Sequence, residues 1–238
     1  MTESGGTPRS GTLTEPQVRA MFDRIAGFYD VMNTVMTAGL HHRWRARAAD
    51  LAELAAGDSA LDVACGTGDL AIELSRRVGA DGEVIGSDFA QEMLERAREK
   101  APALAWEWGN ALDLPYASNR FDAATVGFGA RNFSDLDRGL AEMARVVKPG
   151  GRVVVLEITT PRRPPLSTFY SLWFDRIVPL IGRVTGEDEA YTYLPNSVKR
   201  FPAPDGLAAA MERAGLGEIR WILTAGGIIA LHVGTKAG

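Results

Sequence analysis

Asp62, Gly66, Gly68 and Asp88 are spaced to grip a ligand that carries both an anionic group and a diol. The stretch Asp62-Val63-Ala64-Cys65-Gly66-Thr67-Gly68-Asp69-Leu70 follows an apolar lead-in, Ser59-Ala60-Leu61. It precedes Leu70, Ile72, Leu74 and Val78, which share a broad helix face. The glycines therefore fall on a tight turn between a buried strand and a helix. They permit positive φ and let a ligand approach with no Cβ in the way. The helix behind them presents free N–H groups and the positive end of its dipole, so an anion docks there. Asp88 stands about 20 residues further on, at the end of a second strand, where a carboxylate accepts hydrogen bonds from a ribose diol. The plainer role for Asp88 is a solvated helix cap before Ala90-Gln91-Glu92; the strand-end position favours the ribose, and both roles are compatible.

Two cofactors fit such a turn. Gly66-Thr67-Gly68-Asp69-Leu70-Ala71 satisfies the loose dinucleotide pattern G-x-G-x-x-G/A, a weak signal by itself. The same turn serves S-adenosylmethionine (SAM), whose anion is the methionine carboxylate. Three features favour SAM. Asp62 is placed to meet the cationic amino group of methionine. A third strand ends in Asn110-Ala111-Leu112-Asp113-Leu114-Pro115, a loop whose polar groups can read an adenine edge. No other segment offers a second nucleotide half.

The elements that must position these residues alternate. Strands are predicted near 59–64, 83–88, 105–109, 122–127 and 152–157, and helices near 69–78, 90–100 and 135–147. That rhythm implies an α/β fold with a mostly parallel sheet and ligands at the carboxyl ends of the strands. Pro16 opens an N-terminal helix, and a second helix is predicted from about His42 to Ala55. These make a helical cap over 15–56, ahead of a ligand-binding core over 57–160. Residues 161–203 read as an apolar insert. Leu166, Phe169, Tyr170, Trp173, Phe174, Ile177, Val178 and Ile181 recur there at helical spacing, with Pro179 kinking the end. The insert reads as a lid helix, and also as a surface for a greasy substrate tail. A helix near 204–214 leads to strands at 219–223 and 228–233. Gly226-Gly227 between them predicts an antiparallel hairpin closing the edge of a seven-stranded sheet. Residues 1–14, rich in Gly, Ser and Thr, read as a disordered tail, and 15–238 as a single domain.

Composition narrows the class. The chain has 238 residues, 46% hydrophobic and 24% charged, with a formal net charge of −4. Nothing suggests a nucleic-acid footprint. The one cysteine, Cys65, permits a reducing cytosol and reads as a small residue packed beneath the cofactor. No basic-then-apolar leader is evident, and no run approaches the ~20 apolar residues of a membrane span. The expected location is the cytoplasm, including the inner face of the plasma membrane; the oligomeric state is left open. No Cys/His cluster has metal-ligand spacing, so no metal is expected.

Other segments resemble one family. Tyr29-Asp30-Val31-Met32-Asn33, with Gly39, His41 and Trp44 behind, looks like the N-terminal signature of the ubiquinone/menaquinone C-methyltransferases (UbiE/MenG). Arg145-Val146-Val147-Lys148-Pro149-Gly150-Gly151, running to Leu156-Glu157, looks like the second signature. Phe128-Gly129-Ala130-Arg131-Asn132-Phe133 and the end from Gly226 to Lys236 are similar to family members too. The resemblance spans about residues 17–236. Thr37 and Thr159 stand where the family usually has serine, keeping the hydroxyl. Gly127 stands where many members have a serine that touches SAM. The resemblance implies the class I SAM-dependent methyltransferase fold, and SAM contacts at Thr67, Asp88, Asn110 and Ala111. Asp62, Gly66 and Gly68 join them on physical grounds.

It also implies a reaction: methylation of demethylmenaquinol to menaquinol, or of a methoxy-polyprenyl-benzoquinol. A nicotinamide-dependent oxidoreductase and a non-catalytic SAM-binding module are the readings from other classes. A quinone ring is electrophilic, so the acceptor must be the quinol, most reactive once a hydroxyl has lost its proton. The site then needs a base and a positive group for the oxyanion. Arg131, just past the fourth strand, is the candidate for that group, orienting a water or holding the phenolate, with Asn132 positioning the same water. A structural pairing of Arg131 with an acidic neighbour is the plainer reading. His41 is a candidate base, or equally a hydrogen-bonded structural histidine. Tyr29 either closes over the cofactor or is an ordinary cap aromatic. Glu157, at the end of the fifth strand, faces the ligand edge, with a structural role as the alternative, and His232 reads as packing.

Overall fold

The computed structural model describes residues 13–161 and 188–238. The apolar residues between Leu166 and Ile181 therefore lie outside the described residues, as does most of the N-terminal tail. Seven strands form one sheet in the order β3-β2-β1-β4-β5-β7-β6. They are β1 (Ser59–Val63), β2 (Glu83–Asp88), β3 (Ala105–Trp108), β4 (Phe121–Gly127), β5 (Val147–Ile158), β6 (Leu216–Thr224) and β7 (Ile229–Lys236). β1 to β5 run parallel, and β7 is antiparallel to both β5 and β6. The fold expected from the sequence is the one observed.

Alternation along the strands separates the two faces. Leu61 and Val63 point to the side covered by α6 (Leu136–Val146) and α8 (Pro204–Arg213), where they meet Leu140, Met143, Leu207 and Met211. Ala60, Val154 and Leu156 point the other way, toward α3 (Leu40–Leu51), α4 (Asp69–Val78) and α5 (Gln91–Lys100). Strands buried on both faces become continuous apolar runs, and that made them legible. A third cluster joins Val18, Met21 and Ile25 of α1 (Glu15–Ile25) to Met93 of α5 and Tyr193 of α7 (Asp188–Arg200).

The structure corrects the cap. The predicted helix from His42 to Ala55 is α3, which starts at Leu40 and ends at Leu51. A further helix, α2 (Tyr29–Thr37), precedes it. Ala38 (φ +49°) and Gly39 (φ +75°) make the break between them. α2 has weak helix formers, and the Thr34 and Thr37 hydroxyls bond back to the carbonyls of Asp30 (2.8 Å) and Asn33 (2.6 Å), which does not strengthen it, so the surrounding fold must hold it. β5 also starts earlier than predicted: Val147 pairs with Phe121, and an irregularity absorbs Lys148–Gly151 before Arg152 meets Ala123. The C-terminal hairpin forms, but its second strand enters between β5 and β6, leaving β6 at the edge.

The sheet reverses strand order at β1. β2 lies on one side and β4 on the other, which opens a crevice beyond their carboxyl ends.

Candidate active site

A cleft that gathers the carboxylates of Asp62, Asp69 and Asp88 beside the glycine turn occupies that crevice. Asp62 and Thr125 are register partners on β1 and β4. The Thr125 hydroxyl donates to Asp62 Oδ1 at 2.7 Å. Asp62 Oδ2 is buried with no partner, although the residue lines the cleft. Burial pushes the Asp62 carboxyl up to about 7. An orphaned carboxylate oxygen in a cleft wall calls for a cationic donor from the ligand.

Gly66 (φ +56°) and Gly68 (φ +86°) hold the turn. At Gly68 a Cβ would lie 2.2 Å from the Trp106 ring beneath it, so only glycine fits. Asp88 accepts from the Gly66 N–H at 2.8 Å and from the Ala90 N–H at 2.9 Å. It therefore clamps the glycine turn to the start of α5, and at 6% exposure it is not the solvated cap considered from sequence. Burial raises its carboxyl to about 6, against the pull of those N–H groups. Each oxygen keeps lone-pair capacity for a hydroxyl donor.

Thr67 and Asn110 line the cleft, but their side chains are committed to protein partners. The Thr67 hydroxyl donates to Asp30 Oδ1 at 2.5 Å and accepts from Lys100 Nζ at 3.1 Å. Asn110 Nδ2 donates to Glu15 Oε1 at 2.9 Å, and its Oδ1 accepts from the Leu112 N–H at 2.9 Å. Ala111 is part of the wall, and so is Gly127, where a Cβ would crowd the Leu70 side chain at 3.1 Å. Cys65 is also in the wall, its thiol pushed well up by burial and so inert as a nucleophile.

A second, larger cavity of about 460 Å³ lies against the first. Its walls are mostly apolar, with Met21, Ile25, Met32, Met36, Trp44 and Ile228 among them. Phe22, Tyr29, Arg45 and Phe128 line both cavities and form the boundary.

Arg131 lines the apolar cavity. Its Nη1 donates to Glu157 Oε1 at 2.7 Å and to the Phe128 carbonyl, while its backbone N–H reaches Glu157 Oε2 at 3.2 Å. The pairing with an acidic neighbour is thus present, and it keeps the guanidinium charged despite burial. Arg131 Nε is buried without a partner. Asn132 lines the polar cleft and accepts from the Tyr193 hydroxyl at 3.1 Å. The two neighbours thus line different cavities.

His41 is buried in the wall of the apolar cavity, its pKa lowered to about 4 by burial and then by the charge of Arg45. Arg45 Nη1 can only donate, so His41 Nδ1 accepts. Nε2 then carries the proton toward Thr34 Oγ1 at 3.2 Å. No lone pair is left for a substrate proton, and the geometry favours the structural reading of His41. His232 is likewise a packing residue: it stacks on Trp221 and meets the Pro204 carbonyl at 2.9 Å. The fold also gathers His41, His42 and Asp69 within 4.8 Å, a trio that local spacing does not reveal. Asp69 is already taken by Lys100 at 2.8 Å and Arg45 at 3.5 Å, so a metal would displace two cations.

Sequence reasoning missed Glu15, Asp30, Arg45 and Lys100. Asp30 sits inside the N-terminal signature, the one local sign that it does more than cover the surface.

A family model described as the ubiE/COQ5 methyltransferase family matches residues 11–236. A demethylmenaquinone methyltransferase of Desulfitobacterium hafniense is 42% identical, over 95% of this chain and 92% of its own length. A ubiquinone/menaquinone biosynthesis C-methyltransferase of Methylococcus capsulatus is 39% identical, over 98% of this chain and 99% of its own. Among solved structures, a SAM-dependent methyltransferase from Thermotoga maritima superposes with a TM-score of 0.65 at 19% identity, covering 91% of this chain and 98% of that one. That likeness shows the fold alone.

Proposed function

The chain belongs to the ubiE/COQ5 methyltransferase family, and from that premise we propose that it methylates a ring carbon of demethylmenaquinol to give menaquinol, with SAM as donor. The observation that carries this reading is the contact of a polar, carboxylate-bearing cleft with a large apolar cavity across Tyr29 and Phe128. The first offers the carboxylates and backbone N–H groups that SAM needs, and the second the apolar walls that a prenylated bicyclic quinol needs. SAM supplies a methyl group on a cationic sulfonium, already a good leaving group.

The protein mainly aligns and dries the encounter. Asp62 Oδ2 receives the ammonium of the methionine moiety, and the glycine turn receives its carboxylate. Asp88 takes the ribose hydroxyls, and Asn110 and Ala111 flank the adenine. Tyr29 and Phe128 close the boundary against water. Arg131, held by Glu157, offers its unpartnered Nε to the quinol oxygen. A fixed positive charge there favours loss of the hydroxyl proton to water, and the resulting phenolate is electron-rich at its ortho carbon; that carbon takes the methyl group as the bond to sulfur breaks and then gives up its own proton to water. Asn132 and His41 act as positioning residues, one holding Tyr193 and the other Arg45.

No helix among the described residues is long and apolar enough to cross a membrane. A prenylated substrate then implies peripheral work at the inner face of the plasma membrane. The methoxy-polyprenyl-benzoquinol is the second reading, supported by a relative whose name covers both quinones.

The test is transfer of labelled methyl from SAM to chemically reduced demethylmenaquinone, with the oxidised quinone as control. Label in menaquinone from the reduced form only is the expected result. No transfer by a protein that binds SAM would remove this substrate and turn attention to benzoquinols. Binding without turnover on either quinol would leave a SAM-binding module.

A further inference from the structure

α2 carries a stripe of exposed, mostly apolar residues. None of its residues is buried. Val31, Thr34, Val35 and, just beyond the helix, Ala38 follow the i, i+3, i+4, i+7 spacing of one face, and all are exposed. Val31 is 66% exposed and Val35 73%. Thr34 does not make the stripe polar, since its hydroxyl is already spent on the Asp30 carbonyl. Leu40, also exposed, carries the patch onto α3. From Leu40 the same face of α3 continues at i+3 and i+7 with Arg43 and Arg47. Both arginines are exposed, and neither has an ion-pair partner among the described residues.

Single exposed valines are ordinary. These are continuous with the apolar cavity, because Val35 and Leu40 belong to its lining as well as to the surface. An apolar stripe bordered by unpaired arginines is complementary to one kind of surface: anionic headgroups above acyl chains.

We propose that the face made by Val31, Val35, Leu40, Arg43 and Arg47 seats this protein on an anionic lipid bilayer, with the apolar cavity opening beside the membrane. The proposal rests on the quinol reading, since it gives the prenyl tail a route that never crosses water. The valines and Leu40 enter the boundary between headgroups and acyl chains. The arginines meet lipid phosphates. The ring then reaches Arg131 while the tail stays in lipid.

Co-sedimentation of the full-length protein with phosphatidylglycerol–phosphatidylcholine vesicles, against phosphatidylcholine alone, tests the face without any substrate. Val31 and the two arginines line neither cavity, so their variants leave the chemistry intact. Val31→Asp is expected to weaken vesicle affinity about tenfold. Arg43→Gln with Arg47→Gln is expected to weaken it about 30-fold and to remove most of its salt dependence. Val31→Trp should tighten binding and shift its fluorescence to the blue on vesicles only. In parallel, V31D should match the wild type on a water-soluble, short-tailed demethylmenaquinol and fall behind on a long-tailed one held in vesicles.

A wild-type protein that ignores anionic vesicles overturns the proposal, and so do variants that sediment as the wild type does. A wild type that sediments through these residues but methylates neither quinol leaves the docking face standing and sinks the quinol reading instead.

Discussion

Asp62 shows how one residue links local geometry to ligand chemistry. Its register partner on β4, Thr125, satisfies one oxygen and leaves the other buried without a partner in the cleft wall. Burial raises its carboxyl from 3.8 to about 7. The folded chain therefore holds a proton that the unfolded chain has already lost. Stability measured without ligand falls as pH climbs from the ordinary carboxylate range through about 7. A cationic ammonium beside Oδ2 reverses the preference, so SAM affinity rises over the same upper window. Titration calorimetry should show SAM binding strengthening from about one unit below that pKa to about one unit above it. Asp62→Asn should bind about 10- to 100-fold more weakly at the alkaline end, the loss of one charge-assisted hydrogen bond. It should keep only the shallower dependence of Asp88, centred near 6. An asparagine variant that binds as the wild type does would remove Asp62 from the site. Asp62, Gly66 and Gly68 were legible because a strand–turn–helix fixes them locally. Glu15, Asp30 and Lys100 were not, because their partners, Asn110 and Thr67, are brought to them only by the closed fold.

At the scale of elements, the sheet and its flanking helices were readable and the cap was not. Strands buried on both faces become apolar runs, and α4 and α6 have one clean apolar face each. α2 has neither: Tyr-Asp-Val-Met-Asn-Thr-Val-Met-Thr mixes β-branched and polar residues, and the helix buries none of them. Polar ties hold it in place. Asp30 of α2 reaches Lys100 at the end of α5 at 2.5 Å and the Thr67 hydroxyl on the glycine turn. Asp30 is two-fifths exposed, so solvent discounts the pair to about 1 kcal/mol. Asp30→Ala should speed amide exchange over residues 29–37 severalfold, about the factor that energy implies, and leave α4 unchanged. Exchange mass spectrometry of the two peptides reads this directly. Equal rates in variant and wild type would mean that Tyr29 and Met32 hold α2 by packing instead. The hairpin was half legible: its two strands and glycine turn were evident. Insertion of β7 beside β5 is a tertiary choice, made by pairings from Arg152 with Thr235 to Ile158 with Ile229.

Across the whole molecule, the polar cleft is walled by parts that share no local structure. Asp62 comes from β1, Asp88 from β2, Glu15 from α1, and Phe128 and Asn132 from the segment after β4. Filling that cleft should therefore tie the cap to the sheet, not merely occupy the sheet's edge. Ligand at a hundred times its dissociation constant stabilises the folded state by about 2.7 kcal/mol. For a chain of this length that raises Tm by about 5–10 °C. S-adenosylhomocysteine, which lacks the sulfonium charge but keeps the amino acid and the ribose, should produce a rise of this size. Asp62→Asn at the same ligand concentration should show about 1–6 °C, because a 10- to 100-fold weaker site sees the ligand at only about 1–10 times its dissociation constant. The rise alone does not distinguish a closed cap from a filled groove; amide exchange does. If the cap closes on the ligand, exchange in Glu15–Ile25 slows together with exchange at the glycine turn. Protection at the turn with α1 unchanged would mean that the sheet binds the ligand by itself, and that α1 shields the quinol cavity only.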